Sequence, residues 1–164
     1  GVKQVVPAEN AFAALKKDGS VITWGLADYG GDAGGVLEEL REGVKVVVAA
    51  RHAFAALKED GSVIAWGHAE WGGDSALATH EGARDLLERK QLFRGVKEVV
   101  AADYAFAALK EDGSVISWGH AECGGEASKV QEQLSEGVKS VKAKKSGLGF
   151  SACKLDGTVV SWGR

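Results

Sequence analysis

The 164-residue chain contains no methionine, a single proline (Pro7) and two cysteines. It has no run of apolar residues approaching the roughly 20 needed to cross a bilayer as a helix, and it does not open on a charged-then-apolar leader. It also lacks a basic stripe: the formal charge is −3, with Lys and Glu interspersed, so nothing matches the phosphate backbone of a nucleic acid. These absences exclude a helical membrane protein and argue against DNA or RNA as a partner. Without Met, and opening on Gly1 in mid-pattern, the chain is expected to be a processed or truncated piece of a longer, soluble precursor, whose compartment stays open. Two cysteines cannot form a disulfide framework here. Cys153 stands where other copies of an internal pattern have Leu15, Leu57 and Leu109, and Cys123 stands where they have Tyr29 and Trp71. Non-equivalent positions predict two independent thiols.

That internal pattern is the dominant feature. Phe-Ala-Ala-Leu-Lys-x-Asp-Gly-Ser-Val-Ile-x-Trp-Gly starts at Phe12, Phe54 and Phe106, with a diverged copy at Phe150. Self-similarity at a period of about 42 residues marks a tandem array whose units cannot bury their apolar faces alone. The units are 1–42, 43–94, 95–136 and a shorter 137–164, together one domain. Each opens Gly-Val-Lys and continues into a β-rich run (Val2 to Ala8, Val44 to Ala50, Val96 to Ala102), a polar break, and Phe-Ala-Ala-Leu-Lys. The Asp-Gly steps at 18–19, 60–61, 112–113 and 156–157 predict tight hairpins, since Gly takes the positive φ such turns demand. A third strand carries Val-Ile-x-Trp. The fold class is therefore mainly β: tandem three-stranded antiparallel meanders, propeller-like or toroidal with four modules, or alternatively an open curved stack.

Short linking helices are expected between meanders. Val36, Leu37 and Leu40 share one helical face, as do Val130 and Leu134, and Ser128 with Gln131 forms a capping-box pattern. The second unit carries about ten extra residues, and Leu86, Leu87, Lys90 and Phe93 predict a longer amphipathic helix from about Ala83. Because Phe-Ala-Ala-Leu and Val-Ile-x-Trp put apolar groups on both strand faces, both faces should be covered. Trp24, Trp66, Trp118 and Trp162, with Phe12, Phe54, Phe106 and Phe150, are the expected core.

At Phe54-Ala55-Ala56-Leu57, Asp60-Gly61 and Trp66-Gly67-His68-Ala69-Glu70-Trp71-Gly72-Gly73, and at their copies, the chain resembles the regulator of chromosome condensation repeat family. The resemblance covers most of the chain, is specific in the hairpin and Trp-Gly portion, and is weak in the linkers. It implies propeller blades used as a protein-binding platform. The chain departs from that family in its shorter period, its helix-like linkers and its four units, too few for a seven-bladed ring. No residue of the family's exchange-factor chemistry has a motif-matched counterpart.

The candidate binding residues lie in the Gly-Gly loops: Tyr29 and Asp32; Glu70, Trp71 and Asp74; Glu122, Cys123 and Glu126. An aromatic beside two carboxylates can stack on a sugar and accept its hydroxyls, or bind a cationic peptide. The same residues have a structural role open to them, with Gly-Gly permitting the turn and the acid capping the N-terminus of the next helix. Calcium on these carboxylates finds too few oxygens per loop. His68-Ala69-Glu70 and His120-Ala121-Glu122 look like half of a zinc deaminase site, but the Cys-pair half is absent. No metal or cofactor is expected. Asn10, His52, Asp103 and Tyr104 vary between copies in the turn between the first two strands, as a binding face or an unconstrained surface would. Lys142, Lys144 and Lys145 form a basic cluster, read as a solvated edge or a dock for an acidic partner. No nucleophile–base constellation stands out. The expected function is a non-catalytic β-repeat scaffold binding protein partners within a larger assembly; the alternative is a lectin-like module using the aromatic-acid loops.

Overall fold

A computed structural model describes residues 1–73 and 94–164; the helix expected from about Ala83 and the candidate Asp74 lie outside the described residues. Twelve strands form four separate three-stranded antiparallel sheets in chain order. Module 1 holds β1 (Val2–Pro7), β2 (Ala11–Lys16) and β3 (Val21–Gly25), and module 2 holds β4 (Val44–Ala49), β5 (Ala53–Lys58) and β6 (Val63–Gly67). Module 3 holds β7 (Val96–Ala101), β8 (Ala105–Lys110) and β9 (Val115–Gly119), and module 4 holds β10 (Val138–Ala143), β11 (Gly149–Lys154) and β12 (Val159–Gly163). β4 packs on β1, β7 on β4 and β10 on β7, and the series does not close from β10 back onto β1. Of the two arrangements the repeat allows, the molecule takes the open curved one rather than the closed toroid.

The hairpins form as the Asp-Gly steps predict. Gly19 has φ +85°, its N–H donates to the Lys16 carbonyl (3.0 Å), and the Lys16 N–H donates to the Ser20 carbonyl (2.8 Å). In every module the turn aspartate accepts from the backbone N–H two residues on: Asp18 from Ser20, Asp60 from Ser62, Asp112 from Ser114 and Asp156 from Thr158, each at 2.9 Å. It also accepts from the same residue's hydroxyl. The side-chain hydroxyl bond, then the backbone one, holds each of these carboxyls below the ordinary Asp range.

Period-2 alternation in the strands sorts residues between two interfaces. Phe54, Ala56, Ile64 and Trp66 face module 1, meeting Ala11, Ala13, Leu15 and Val21. Ala53, Ala55, Leu57 and Val63 face module 3, meeting Phe106, Ala108, Ile116 and Trp118. Ala105, Ala107, Leu109 and Val115 face module 4, meeting Phe150, Ala152, Val160 and Trp162. Each interface is thus an aromatic face against an alanine-rich face, which lets the sheets approach closely. Phe and Trp are directly opposed across the second and third strands, with ring centroids 5.4 Å apart for Phe54–Trp66 and Phe106–Trp118.

Two expectations need correction. Phe54, Phe106, Phe150, Trp66, Trp118 and Trp162 are buried, but Phe12 and Trp24 are 40% and 42% exposed, although they stack at 5.4 Å like their counterparts. Their face of module 1 has no alanine-rich face against it among the described residues, so both faces are covered only in modules 2 and 3. The short linking helices form as expected, each as a single 3-10 turn, at Gly34–Val36 and Ser128–Val130, but the capping box does not. Gly34-Gly35 and β-branched Val36 carry little helix propensity, and so short a segment does not meet the cost of nucleation. Leu40 and Leu134 are fully buried, whereas Leu37 points to solvent. Ser128 makes no cap; its hydroxyl donates to Glu126.

Trp66→Ala should cost about 3–5 kcal/mol of unfolding free energy by core truncation, whereas Trp24→Ala should cost less than about 1.5 kcal/mol. Paired urea titrations test this, and equal losses would contradict the assignment of the exposed face. The turn aspartates have folded pKa values below their unfolded ones, so their stabilisation is complete above about pH 4 and lost as pH falls through the folded values. The urea midpoint should therefore hold steady from about pH 7 to 5 and drop below about pH 4. Asp60→Asn with Asp112→Asn should flatten part of that acid slope; an unchanged slope would place its source elsewhere.

Candidate functional site

The three Gly-Gly loops tie each module to the next. A 3-10 turn at Ala27–Tyr29 ends on Gly30 at φ +106°, and those at Ala69–Trp71 and Ala121–Cys123 end on Gly72 and Gly124 in the same left-handed conformation. Gly30 lies so close to the face of Phe54 that a Cβ there would sit 2.5 Å from the ring; Gly72 meets Phe106 and Gly124 meets Phe150 in the same way. The carbonyls of these glycines accept the indole N–H of the following module, from Trp66 at 3.2 Å, Trp118 at 3.1 Å and Trp162 at 3.1 Å. A buried indole N–H without a partner would forfeit a hydrogen bond, so the loop completes the tryptophan's burial.

Seated this way, the first two loops push Tyr29 and Trp71 between two residues of the next module. Tyr29 lies 4.9 Å from His52 and 5.7 Å from His68 in centroid distance. Trp71 lies 4.8 Å from Tyr104 and stacks flat on His120 at 4.7 Å and 9°, while also reaching His52 and His68 at 6.3 and 6.2 Å. The six rings form one continuous row along the turn end of the modules, and the Arg51 guanidinium lies 5.8 Å from the Tyr104 centroid. Arg51 also pairs with Asp103 at 3.2 Å and reaches Glu9 at 3.8 Å; Asp103 chiefly, with Tyr104, holds it still more firmly protonated. Backbone bonds link the same turns: Glu9 N–H to Arg51 C=O (3.0 Å), Arg51 N–H to Asp103 C=O (2.9 Å) and Asp103 N–H to Gly147 C=O (2.9 Å). The Nδ1 atoms of His52, His68 and His120 are buried and have no hydrogen-bond partner among the described residues.

The carboxylates predicted as ligands are engaged one by one rather than converging. Asp32 accepts from the Gly34 N–H at 2.8 Å, Glu122 pairs with Arg164 at 2.8 Å, and Glu126 takes the Ser128 hydroxyl. Glu70 is exposed on the rim of a cleft of about 670 Å³ between the first Gly-Gly loop and β6, together with Asp28, Asp32, Tyr29 and His68. Cys123 is buried, and that burial pushes its thiol pKa up, the opposite of an activated nucleophile. Cys153 is also a free thiol. Among the described residues no three His, Cys, Asp or Glu side chains are placed to hold a metal ion, and no helix is long and apolar enough to cross a membrane. A second cleft, of about 540 Å³, runs between the inner strands of all four modules, with Glu9, Arg51, Asp103, Lys144 and Lys145 on its wall.

Sequence reasoning singled out Tyr29, Trp71, His52 and Tyr104 separately but missed that they meet, and it missed Arg51. It noted His68 and His120 only for a metal motif. Their signal was available in the repeat: Leu26, His68, His120 and Arg164 all follow Trp-Gly, and Asn10, His52, Tyr104 and Leu148 supply the carbonyls that accept their backbone N–H groups.

No protein-family model and no curated protein matches the chain. Solved structures do. Human WBSCR16 superimposes with a TM-score of 0.61 at 19% identity over 99% of this chain and 47% of its own. Prp20p of Saccharomyces cerevisiae gives 0.59 at 19% over 99% and 45%. The CRINKLY WD40 ectodomain of the Arabidopsis thaliana receptor kinase ACR4 gives 0.56 at 16% over 99% and 52%. The chain spans about half the length of these relatives. At such identities the likeness concerns fold alone, and the molecule has a propeller-like β-repeat fold similar to that of these structures.

Proposed function

We propose that this chain is a non-catalytic scaffold of a larger assembly, a short-period and divergent relative of the regulator of chromosome condensation repeats, and that the row of rings at its turn end binds a protein partner. The observation that carries the reading is the convergence of Tyr29, His52, His68, Trp71, Tyr104 and His120 into one row beside Arg51. Side chains that vary between modules stand on a backbone that does not. Half-buried aromatics and an arginine, held rigid by their neighbours, lose little entropy on binding and are the groups that dominate protein interfaces. One protein of similar fold engages proteins: Prp20p binds Gsp1p and histones, and it has been crystallised with Kap60. A scaffold needs no convergent acid, base or nucleophile, and of the loop carboxylates Asp32 and Glu126 are engaged in turns and Glu122 in a surface ion pair. The glycan reading draws no support from the geometry, because one face of Trp71 is already covered by His120.

Capture from an extract of the native source should recover a stoichiometric protein with the unaltered chain. Recovery should fall at least about tenfold with Arg51→Glu or Tyr104→Ala, in line with losing an interface hot spot, while the thermal midpoint of the bait stays close to that of the unaltered chain. Equal recovery by bait and variants would remove the row as the binding site, and saturable calorimetric binding of a sugar at Trp71 would favour the lectin-like reading.

A further inference from the structure

Asp28, Glu70 and Glu122 hold the same place in the three Gly-Gly loops, and the Trp-Gly step of the module after each loop is succeeded by His68, His120 and Arg164 respectively. Between modules 3 and 4 these two positions make an ion pair, with the Arg164 guanidinium donating to the Glu122 carboxylate at 2.8 Å. Between modules 1 and 2 no guanidinium stands there. His68 holds the Arg164 position and stacks on Tyr29 at 5.7 Å and 17°, and Asp28 has no hydrogen bond or ion pair with the described residues. The cleft of about 670 Å³ between the first Gly-Gly loop and β6 opens at this place, with Asp28, Asp32 and Glu70 on its wall and Tyr29 and His68 beside them. Asp32 uses one oxygen on the Gly34 N–H, and Glu70, like Asp28, has no partner among the described residues. No Lys or Arg of the described residues lines the cleft. Carboxylates of one sign around a concave surface focus a negative potential into it and gather cations there.

We propose that this cleft receives an arginine side chain from a basic segment of the protein partner, its guanidinium lying among Asp28, Asp32 and Glu70 as that of Arg164 lies on Glu122. The inference rests on the reading of the row of rings as a protein-binding surface and adds the chemistry of the partner. Tyr29 and His68 belong to both the row and the cleft, so a chain seated along the row reaches the carboxylates. Arginine fits the site better than lysine. Its planar fork of five N–H donors can meet two carboxylates at once, and it sheds water beside aromatic rings more readily than a compact ammonium. Its methylene stem covers the apolar part of the lining at Ala33 and Val36. The Arg164–Glu122 pair is a single exposed contact, with both side chains about two-thirds accessible, and such pairs are weak. The cleft offers three carboxylates to one cation and screens it from water on the side of the rings.

The probe is a fluorescently labelled tri-arginine peptide with blocked ends, titrated into the full chain by anisotropy beside its tri-lysine and tri-citrulline counterparts. The arginine peptide should bind saturably and one to one, the lysine peptide more weakly, and the neutral citrulline peptide not at all. Asp28→Asn with Glu70→Gln should weaken arginine binding at least about tenfold, as loss of a charge partner does. Glu59→Gln with Glu111→Gln, which removes the same charge from the hairpin end, should leave it unchanged. Absence of saturable binding overturns the proposal, and so do equal losses in the two double variants or equal affinity for lysine. Binding that appears only after Arg84, Arg89 and Lys90 are changed to Ala would assign the cleft to the chain's own side chains and overturn it as well. Capture of the native partner separates this proposal from the reading beneath it. Recovery should fall with Asp28→Asn and Glu70→Gln; undiminished recovery beside a loss with Arg51→Glu leaves the row standing and overturns the cleft. If no bait captures a partner, the row fails as a binding surface and the peptide titration still decides the cleft.

Discussion

The contact on which the structure depends is a glycine carbonyl held against a tryptophan of the next module, with a phenylalanine ring filling the space that a Cβ would need. It joins three requirements at once. The indole gains an acceptor, the ring loses its solvent, and the loop is fixed in a left-handed turn open only to glycine at little cost. Every Trp–Phe pair so covered is buried, and the pair left uncovered is exposed. Each three-stranded unit buries its apolar faces only against a neighbour, so much of the stability resides in the interfaces between modules.

Because the contact has a donor face and an acceptor face, the array has a direction. Strand alternation sends aromatic residues one way and alanines the other; the indoles and the first strands donate to the module before, and the inner turns at Glu9, Arg51 and Asp103 donate to the module after. Val44, Val96 and Val138 donate their N–H groups to Gly19, Gly61 and Gly113 of the module before, each at 2.9 Å. An array of this kind has two different faces, and here the outward face of module 1 is aromatic while that of module 4 carries Ser151, Cys153 and Ser161 beside an exposed Val159. The same seating of the loops brings Tyr29 and Trp71 among the imidazoles of the following module. The row of rings is therefore a by-product of the packing contact and inherits its rigidity.

Much of this was legible. The Asp-Gly steps, the Trp-Gly steps and the period fixed the modules, their hairpins and their strand registers, since a two-residue side-chain alternation and a positive-φ glycine act locally. The short helical linkers were legible too in the face of Val36, Leu37 and Leu40, although Gly34-Gly35 confines the first to one 3-10 turn and Leu40, not Leu37, is the buried anchor. Of the loop acids read as ligands or caps, Asp32 accepts from the Gly34 N–H and Glu126 from the Ser128 hydroxyl. Arg51 escaped notice because its partners, Asp103 and Tyr104, belong to another module and stand about fifty residues away.

The sequence by itself determined the repeat, the meander, the hairpin chemistry and which residues could be core, because each depends on contacts within one module. Only the tertiary structure decided which of the equivalent residues are core. Phe12 and Phe54 sit in the same local pattern and differ solely in whether a neighbouring module covers them, and burial is a property of the neighbour. Convergence of the six rings and openness of the stack likewise follow from how modules are rotated against one another, an angle that no local pattern encodes.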